Sequence, residues 1–305
     1  MRILDKLKTG LGFVLVMAMA IGCGNADYSK TKEGMVYRII KSGKGENIKP
    51  RTFLKVHQAA FLKDSLLFST FEYMPAYGFF DSLPQATHDF LDVLDKMRVG
   101  DSAVVIRSVD TLFAKGMLQY NETFKKGDVI KVYVKVLGTF KDEKEMEADR
   151  ASAFEAYKQL EIKRLGDYVA AQNLKAEKLQ DGIYLVVDKE GTGPKVDSGM
   201  FVKVKYTGRL KNGNVFDSNI DSSFGHTEPF EFVAGTRQVI AGWDVAIQKL
   251  KVGSKARVFI PSSMGYGMQS QGARLPAYSD LIFEMEVLGI SEKHPDAMPQ
   301  GMPGQ

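Results

Sequence analysis

A chain of 305 residues is long for one compact domain, and a length of roughly 150 residues per domain suggests two. With 44% apolar and 26% charged residues it can bury real cores, which excludes a chain disordered throughout. The formal charge of +4 falls to +2 once Arg2, Lys6, Lys8 and Asp5 are discounted as part of a leader expected to be removed, so nucleic acid is a poor partner.

The chain opens "MRILDKLKTGLGFVLVMAMAIGCGN", a basic start followed by an apolar run of about a dozen residues that closes on small residues before Cys23. A bilayer span needs about 20 residues, so this run is too short to be one. The ending "AIGC" resembles the lipobox of bacterial lipoproteins, with Ala20 where that family favours Leu. The resemblance implies a signal peptide over 1–22 and lipid attachment at Cys23, the only cysteine of the chain. An ordinary secretory signal with an incidental cysteine is the alternative. Residues 23–33 then read as a polar tether from a bacterial membrane, with the protein in the cell envelope on a periplasmic or surface face.

From Gly34 the chain repeats itself. "GMVYRIIKSGKGENIKPRTFLKV" lies against "GIYLVVDKEGTGPKVDSGMFVKV" at an offset of 148 residues, pairing Gly43 with Gly191, and the offset is carried through Phe68 and Phe216. After a longer loop in the second copy, "FLDVLDKMRVGDSAVVI" aligns with "WDVAIQKLKVGSKARVF", pairing Phe90 with Trp243. Each copy reads as short alternating strands, such as Val202 to Tyr206 and Ala256 to Ile260, with an amphipathic helix around Trp243 to Leu250. Asn212-Gly213 reads as a two-residue hairpin turn. The fold class expected is α+β, with a helix covering one face of an antiparallel sheet in each of two domains, 34–140 and 181–292. Residues 141–180, rich in Glu, Lys, Ala and Leu and without proline, read as a helical linker. Phe154, Tyr157, Leu160, Leu165, Tyr168 and Val169 give it an apolar face, to dock on the neighbouring domain or to pair two chains as a homodimer. Residues 293–305, ending "MPGQ", have the composition of a disordered tail.

The second copy carries "VKYTGRLKNGNVFDS", "PFEFVAGTRQVIAGWDVAIQKLKVGSKARVFIP", "GYG" and "LIFEMEVL" in order, across nearly all of 181–292. Together they resemble an FKBP-type peptidyl-prolyl cis-trans isomerase domain. The resemblance implies a sheet curled around a short helix, and a proline pocket walled by Tyr206, Phe216, Phe230, Val239, Ile240, Trp243, Tyr266 and Phe283, with Asp217 as its polar member. It also implies Trp243 as the floor, with the Ile240 N–H and the Tyr266 hydroxyl reaching substrate carbonyls. Read singly, Trp243 could be a core residue and Asp217 a loop cap. Where the family commonly has an apolar pair and two prolines, "ARLPAY" puts Arg274 and Ala277, which bears on substrate preference.

Through the repeat, Tyr206 maps to Gln58, Asp217 to Ser69, Ile240 to Thr87, Trp243 to Phe90 and Tyr266 to Phe113, so the first copy is expected to be a degenerate FKBP-like domain. The expected partners are proline-containing unfolded or partly folded envelope proteins, with a non-catalytic assembly scaffold as the rival reading. No cofactor is expected: the G-x-G pairs read as turns, the four histidines are scattered without metal-ligand spacing, and there is no serine elbow.

Overall fold

A computed structural model of the chain describes residues 28–81, 89–272 and 274–292. The leader, Cys23, Thr87 and the tail lie outside the described residues. The chain divides into two compact units between Arg150 and Ala151.

In the first unit, β1 (Ser29–Lys30), β2 (Val36–Ile40), β3 (Thr52–Leu62), β4 (Ser65–Ser69), β5 (Ala76–Phe80), β6 (Ser102–Ser108) and β7 (Val129–Phe140) form one antiparallel sheet. Its order is β1-β2-β6-β7-β3-β4, with β5 also on β3. Apolar residues alternate along the strands, so Leu54, Val56, Ala103, Val105, Val132 and Val134 share one buried face. A 3-10 helix, Phe90–Lys96, lays the fully buried Val93 and Leu94 on that face. A short helix α1 (Val109–Ala114) follows β6. Two residues of the expected tether, Ser29 and Lys30, pair with β2 as an edge strand instead of staying free.

The second unit repeats this plan. β8 (Glu177–Lys178), β9 (Tyr184–Lys189), β10 (Phe201–Leu210), β11 (Val215–Ser218), β12 (Phe230–Val233), β13 (Lys255–Ile260) and β14 (Leu281–Ser291) are ordered β8-β9-β13-β14-β10-β11, with β12 also on β10. Strand for strand this is the order of the first sheet. The helix on its inner face is α3 (Ala241–Ile247), which stops short of the expected Leu250; bonds from Lys249 N–H to Ala246 O and Leu250 N–H to Ile247 O close it as turns.

Between the sheets in sequence runs α2 (Glu143–Ala171), 29 residues long. The helix expected over 141–180 ends earlier, at Ala171, and two residues on Asn173 takes a left-handed conformation (φ 53°) that asparagine tolerates, after which Glu177–Lys178 pair with β9 as β8. Leu165 and Val169 pack on the outer face of the second sheet against Val186, Phe259 and Ile282. Phe154 and Leu160, expected on the docking face, are 44% and 41% exposed. Each lies about a quarter-turn or more off the line through Tyr157, Glu161, Leu165 and Val169 that faces the sheet. Among the described residues no helix is long and apolar enough to cross a membrane, and no cluster of His, Cys, Asp and Glu could hold a metal ion.

The glycines paired by the repeat are explained by close approach. A Cβ on Gly43 would stand 2.3 Å from the Val99 carbonyl oxygen, and one on Gly191 2.4 Å from that of Val252. Each lets the segment after the second strand of its sheet pass over the turn that follows the inner helix.

The hairpin between β10 and β11 departs from the two-residue turn expected of Asn212-Gly213. The bond closing the turn runs from Gly213 N–H to Leu210 O, and of the pair only Gly213 has positive φ, 90°. Arg209 pairs with Val215 and Gly208 with Asp217, so Phe216 is the extra residue of a bulge. In the first sheet Phe61 pairs with Leu66 and Ala60 with Phe68, which makes Leu67 the extra residue. The second hairpin is one residue longer, and the offset across it becomes 149. By register, then, Phe216 answers to Leu67, Asp217 to Phe68 and Ser218 to Ser69, in place of the Asp217–Ser69 pairing expected from ungapped sequence. Backbone bonds support the shift: Thr70 Oγ1 accepts from Gln58 N–H at 2.8 Å as Asn219 Oδ1 accepts from Tyr206 N–H at 2.7 Å.

Candidate active site

One cleft is lined by Tyr206, Phe216, Asp217, Phe230, Val239, Ile240, Trp243, Tyr266 and Phe283. They arrive from seven places in the fold. Tyr206 stands on β10, where the inward alternation of Val202 and Val204 reaches the end of the core. Phe216 and Asp217 come from β11, Phe230 from β12, Val239 and Ile240 from the loop before α3, Trp243 from α3, Tyr266 from the turn after β13 and Phe283 from β14.

Trp243 is 4% exposed and sits at the bottom. Tyr206, Phe283 and Phe230 meet it edge to face, with centroids 5.1, 5.0 and 6.0 Å away and planes at 80° to 87°. Such edge contacts set each ring's positive rim on its neighbour's negative face and hold the rings in place. The indole Nε1–H is buried and has no hydrogen-bond partner among the described residues. Phe216 extends the wall by meeting Phe283 at 5.5 Å and 88°. This placement depends on Gly208, whose position faces both rings: a Cβ there would be 2.5 Å from Phe216 Cζ and 2.9 Å from Phe283 Cε1. The first unit has Ala60 at this position.

The polar side of the cleft is a short chain of hydrogen bonds. Tyr206 Oη donates to Asp217 Oδ2 at 2.6 Å, His226 Nε2 lies 2.8 Å from Asp217 Oδ1, and Ser218 N–H donates to Oδ1 at 2.9 Å. Burial first, then the bond to the Asp217 carboxylate and its charge, push the Tyr206 phenol well above the ordinary tyrosine range. Burial and then the Asp217 charge push the Tyr266 phenol up as well. Both hydroxyls are therefore neutral donors at any physiological pH.

Several residues that the sequence reading passed over hold this arrangement. Asp244, buried beside Trp243, accepts from Gly235 N–H at 2.9 Å and Arg237 N–H at 2.7 Å, which ties down the loop carrying Val239 and Ile240. Arg237 has φ 62°, a conformation rare outside glycine, and this carboxylate anchors it. Asn219, 1% exposed, bonds Tyr206 N–H and donates to the Val204 and Glu228 carbonyls, fixing the long loop after β11. His226 was visible only as one of four scattered histidines. The residue that precedes α3, Ile240, was already expected at the site, and it offers no side-chain cap where Ser, Thr, Asp or Asn would be worth about 1 kcal/mol. A broken local rule of this kind marks a residue kept for another purpose. Arg274 lies over the Phe224 ring at 5.1 Å and is not part of the cleft lining.

Carried through the register of the two sheets, the first unit has Gln58 for Tyr206, Leu67 for Phe216, Phe68 for Asp217, Ala76 for Phe230 and Val132 for Phe283. Phe90 remains as a half-buried ring at the place of Trp243, and Phe113 stands 41% exposed.

The family model for the FKBP-type peptidyl-prolyl cis-trans isomerases matches residues 193–288. FK506-binding protein 2 of Dictyostelium discoideum is 42% identical over 116 residues, 38% of this chain and 83% of that protein. A probable FKBP-type peptidyl-prolyl cis-trans isomerase of Haemophilus influenzae is 38% identical over 149 residues, 48% of this chain and 58% of that one. Among solved structures, a peptidyl-prolyl cis-trans isomerase from Pseudomonas syringae is 33% identical, with a TM-score of 0.37 and coverage of 44% of this chain and 96% of that one. The matched segment is the one that folds into the second sheet around α3, and on the strength of the 42% identity across most of the Dictyostelium protein the chain belongs to the FKBP-type peptidyl-prolyl cis-trans isomerase family and is an enzyme of that type.

Proposed function

We propose that the cleft above Trp243 is where an X-Pro bond turns, and that the protein accelerates this step for proteins folding in a bacterial cell envelope. The observation that carries the reading is the convergence of nine side chains from seven segments on one cleft, apolar and aromatic except for Asp217 and two phenols. Rotation about an X-Pro amide meets a barrier of about 18–20 kcal/mol because the C–N bond has partial double-bond character. Twisting breaks that conjugation and reduces the charge separation of the amide. An apolar floor that strips water from the planar form therefore favours the twisted one. Hydrogen bonds from the Tyr266 hydroxyl and the Ile240 N–H that strengthen as the amide twists add to the effect, each ~1.4 kcal/mol being tenfold in rate. Asp217 holds Tyr206 upright beside the floor and keeps the polar rim on one side. No nucleophile or acid-base pair is required, since no covalent bond is made or broken.

Cys23 carries the lipid in this reading, and residues 34–140 keep the fold without the catalysis, since Gln58, Ala76 and Val132 remove the aromatic wall. The test uses the full chain on a refolding reaction limited by proline isomerisation, a step otherwise lasting tens to hundreds of seconds. Tyr266→Phe combined with Asp217→Ala is expected to lower the catalysed rate about tenfold or more while the protein stays folded. An unchanged rate in that folded double variant would place the chemistry elsewhere. Lipid labelling lost in Cys23→Ser checks the anchor.

A further inference from the structure

We propose that α2 is a working part of the isomerase site, and that Glu161 is a positioning residue which holds Tyr266 at the cleft through Ser262. The inference rests on the reading of the cleft given above.

Glu161 is the odd member of its helix face. One turn before it stands Tyr157 and one turn after it Leu165, and both face the second unit. Glu161 is 3% exposed, where packing alone would favour leucine. A buried carboxylate is costly unless its oxygens are fully bonded. Here they are: Ser262 Oγ donates a short bond to Oε1, Ser263 N–H donates to Oε2 at 3.0 Å, and Tyr157 Oη lies 3.5 Å from Oε1. The bonds cross about 100 residues of sequence to reach one turn, the 3-10 turn Ser262–Met264 between β13 and Tyr266.

That turn governs Tyr266. The Ser262 carbonyl accepts from Gly265 N–H at 2.9 Å and from Gly267 N–H at 2.8 Å, the two residues on either side of Tyr266. Ser262 N–H in turn donates to Asp280 Oδ1 at 3.3 Å. Ser262 is 1% exposed, so neither bond has water to replace it. A second link runs in parallel. Tyr157 meets Tyr278 edge to face at 5.4 Å, and Tyr278 N–H donates to the Gly267 carbonyl at 2.7 Å. Both routes start on α2 and end on the backbone flanking the phenol that reaches the substrate. Glu161 and Tyr157 lie outside the segment 193–288 matched by the family model.

The test compares Glu161→Leu, Glu161→Gln, Tyr266→Phe and the double variant Glu161→Leu/Tyr266→Phe in the full chain, by kcat/KM on a proline tetrapeptide and by thermal unfolding. Leucine keeps the helix and the packing but offers no acceptor. It is expected to lower kcat/KM about tenfold in protein that remains folded at the assay temperature. Glutamine can keep both bonds, its carbonyl accepting from Ser263 N–H and its amide donating to Ser262 Oγ, so it is expected to restore the rate to within about twofold. With Tyr266 already changed to Phe, the leucine variant should cost little more, because the two residues act in one chain. If Glu161→Leu does not fold, Ser262→Ala takes its place with the same expected loss. A normal rate in Glu161→Leu, or a glutamine variant as slow as leucine, overturns the inference while a slow Tyr266→Phe leaves the cleft assignment standing. A Tyr266→Phe protein of full rate takes both down.

Discussion

The two sheets share strand order, the inner helix and the glycine at the close approach, yet among the described residues only the second encloses an aromatic cleft with a polar edge. The difference is made by few side chains. Gly208 is the most instructive, because it makes room for Phe216 and Phe283 by being absent. In the first unit the methyl of Ala60 occupies that space, the bulge presents Leu67, and the next ring, Phe68, stands 46% exposed. The polar supports of the two units differ in the same way. Asp101 and Ser254 occupy matching places after the inner helix. Asp101 accepts from Ser42, Gly43 and Arg98 N–H at 2.8, 2.7 and 2.9 Å, whereas Ser254 Oγ accepts from Gly191 and Lys251 N–H at 3.0 and 3.2 Å.

The largest break in the comparison is expected at the floor. Trp243→Ala should cost the second domain about 3–5 kcal/mol, since an indole is lost from a packed ring cluster. Phe90→Ala, half-buried, should cost the first domain about half as much. Urea midpoints followed by circular dichroism check both, with hydrogen exchange assigning each transition to its domain.

Gly208→Ala should come next. The new methyl meets Phe216 at 2.5 Å, so the ring must move; we expect a loss of about 1–3 kcal/mol and a fall in kcat/KM of about tenfold. The mirror change, Ala60→Gly, should lower stability by about 1 kcal/mol and confer no activity, because Gln58, Ala76 and Val132 still lack the wall. Catalysis by a folded fragment of the Ala60→Gly first domain would show that the missing rings do not matter.

The smallest effect sharpens the comparison through acid. Burial alone would raise the Asp101 carboxyl, but the three backbone N–H bonds, with the Arg98 charge, outweigh it and hold the group below the ordinary aspartate value. A folded pKa below the unfolded one contributes stability that is present above the unfolded pKa, about 3.9, and lost as pH falls through the folded value. The first domain should therefore weaken more than the second below about pH 4. Asp101→Ser, which copies the second domain, should flatten that difference at a cost of about 1 kcal/mol at neutral pH. Hydrogen exchange read separately for the two domains between pH 7 and pH 3 decides it.

Much of this protein was legible in the chain. The repeat gave two α+β domains, and the family resemblance carried by the ordered motifs of the second copy implied the nine residues that line the cleft. Legibility ended where distant segments meet. Ungapped alignment set Asp217 against Ser69, and the ladder shows Phe68 there, since one residue added to a hairpin turn shifts the strand after it without changing the hydrophobic pattern. Asn212-Gly213 looked like a two-residue turn, but Lys211 belongs to it as well, since Leu210 bonds both Gly213 and Asn214.

What the sequence determined alone is what depends on neighbours along the chain: strand alternation, the helical character of 143–171, the glycines and the aromatic set. What only tertiary structure decided is what depends on neighbours in space. It made His226 a partner of Asp217, and it brought Glu161 on α2 to Ser262 beside Tyr266. A buried carboxylate and a solvated one are spelled alike in sequence, and only the packing around them gives them different work.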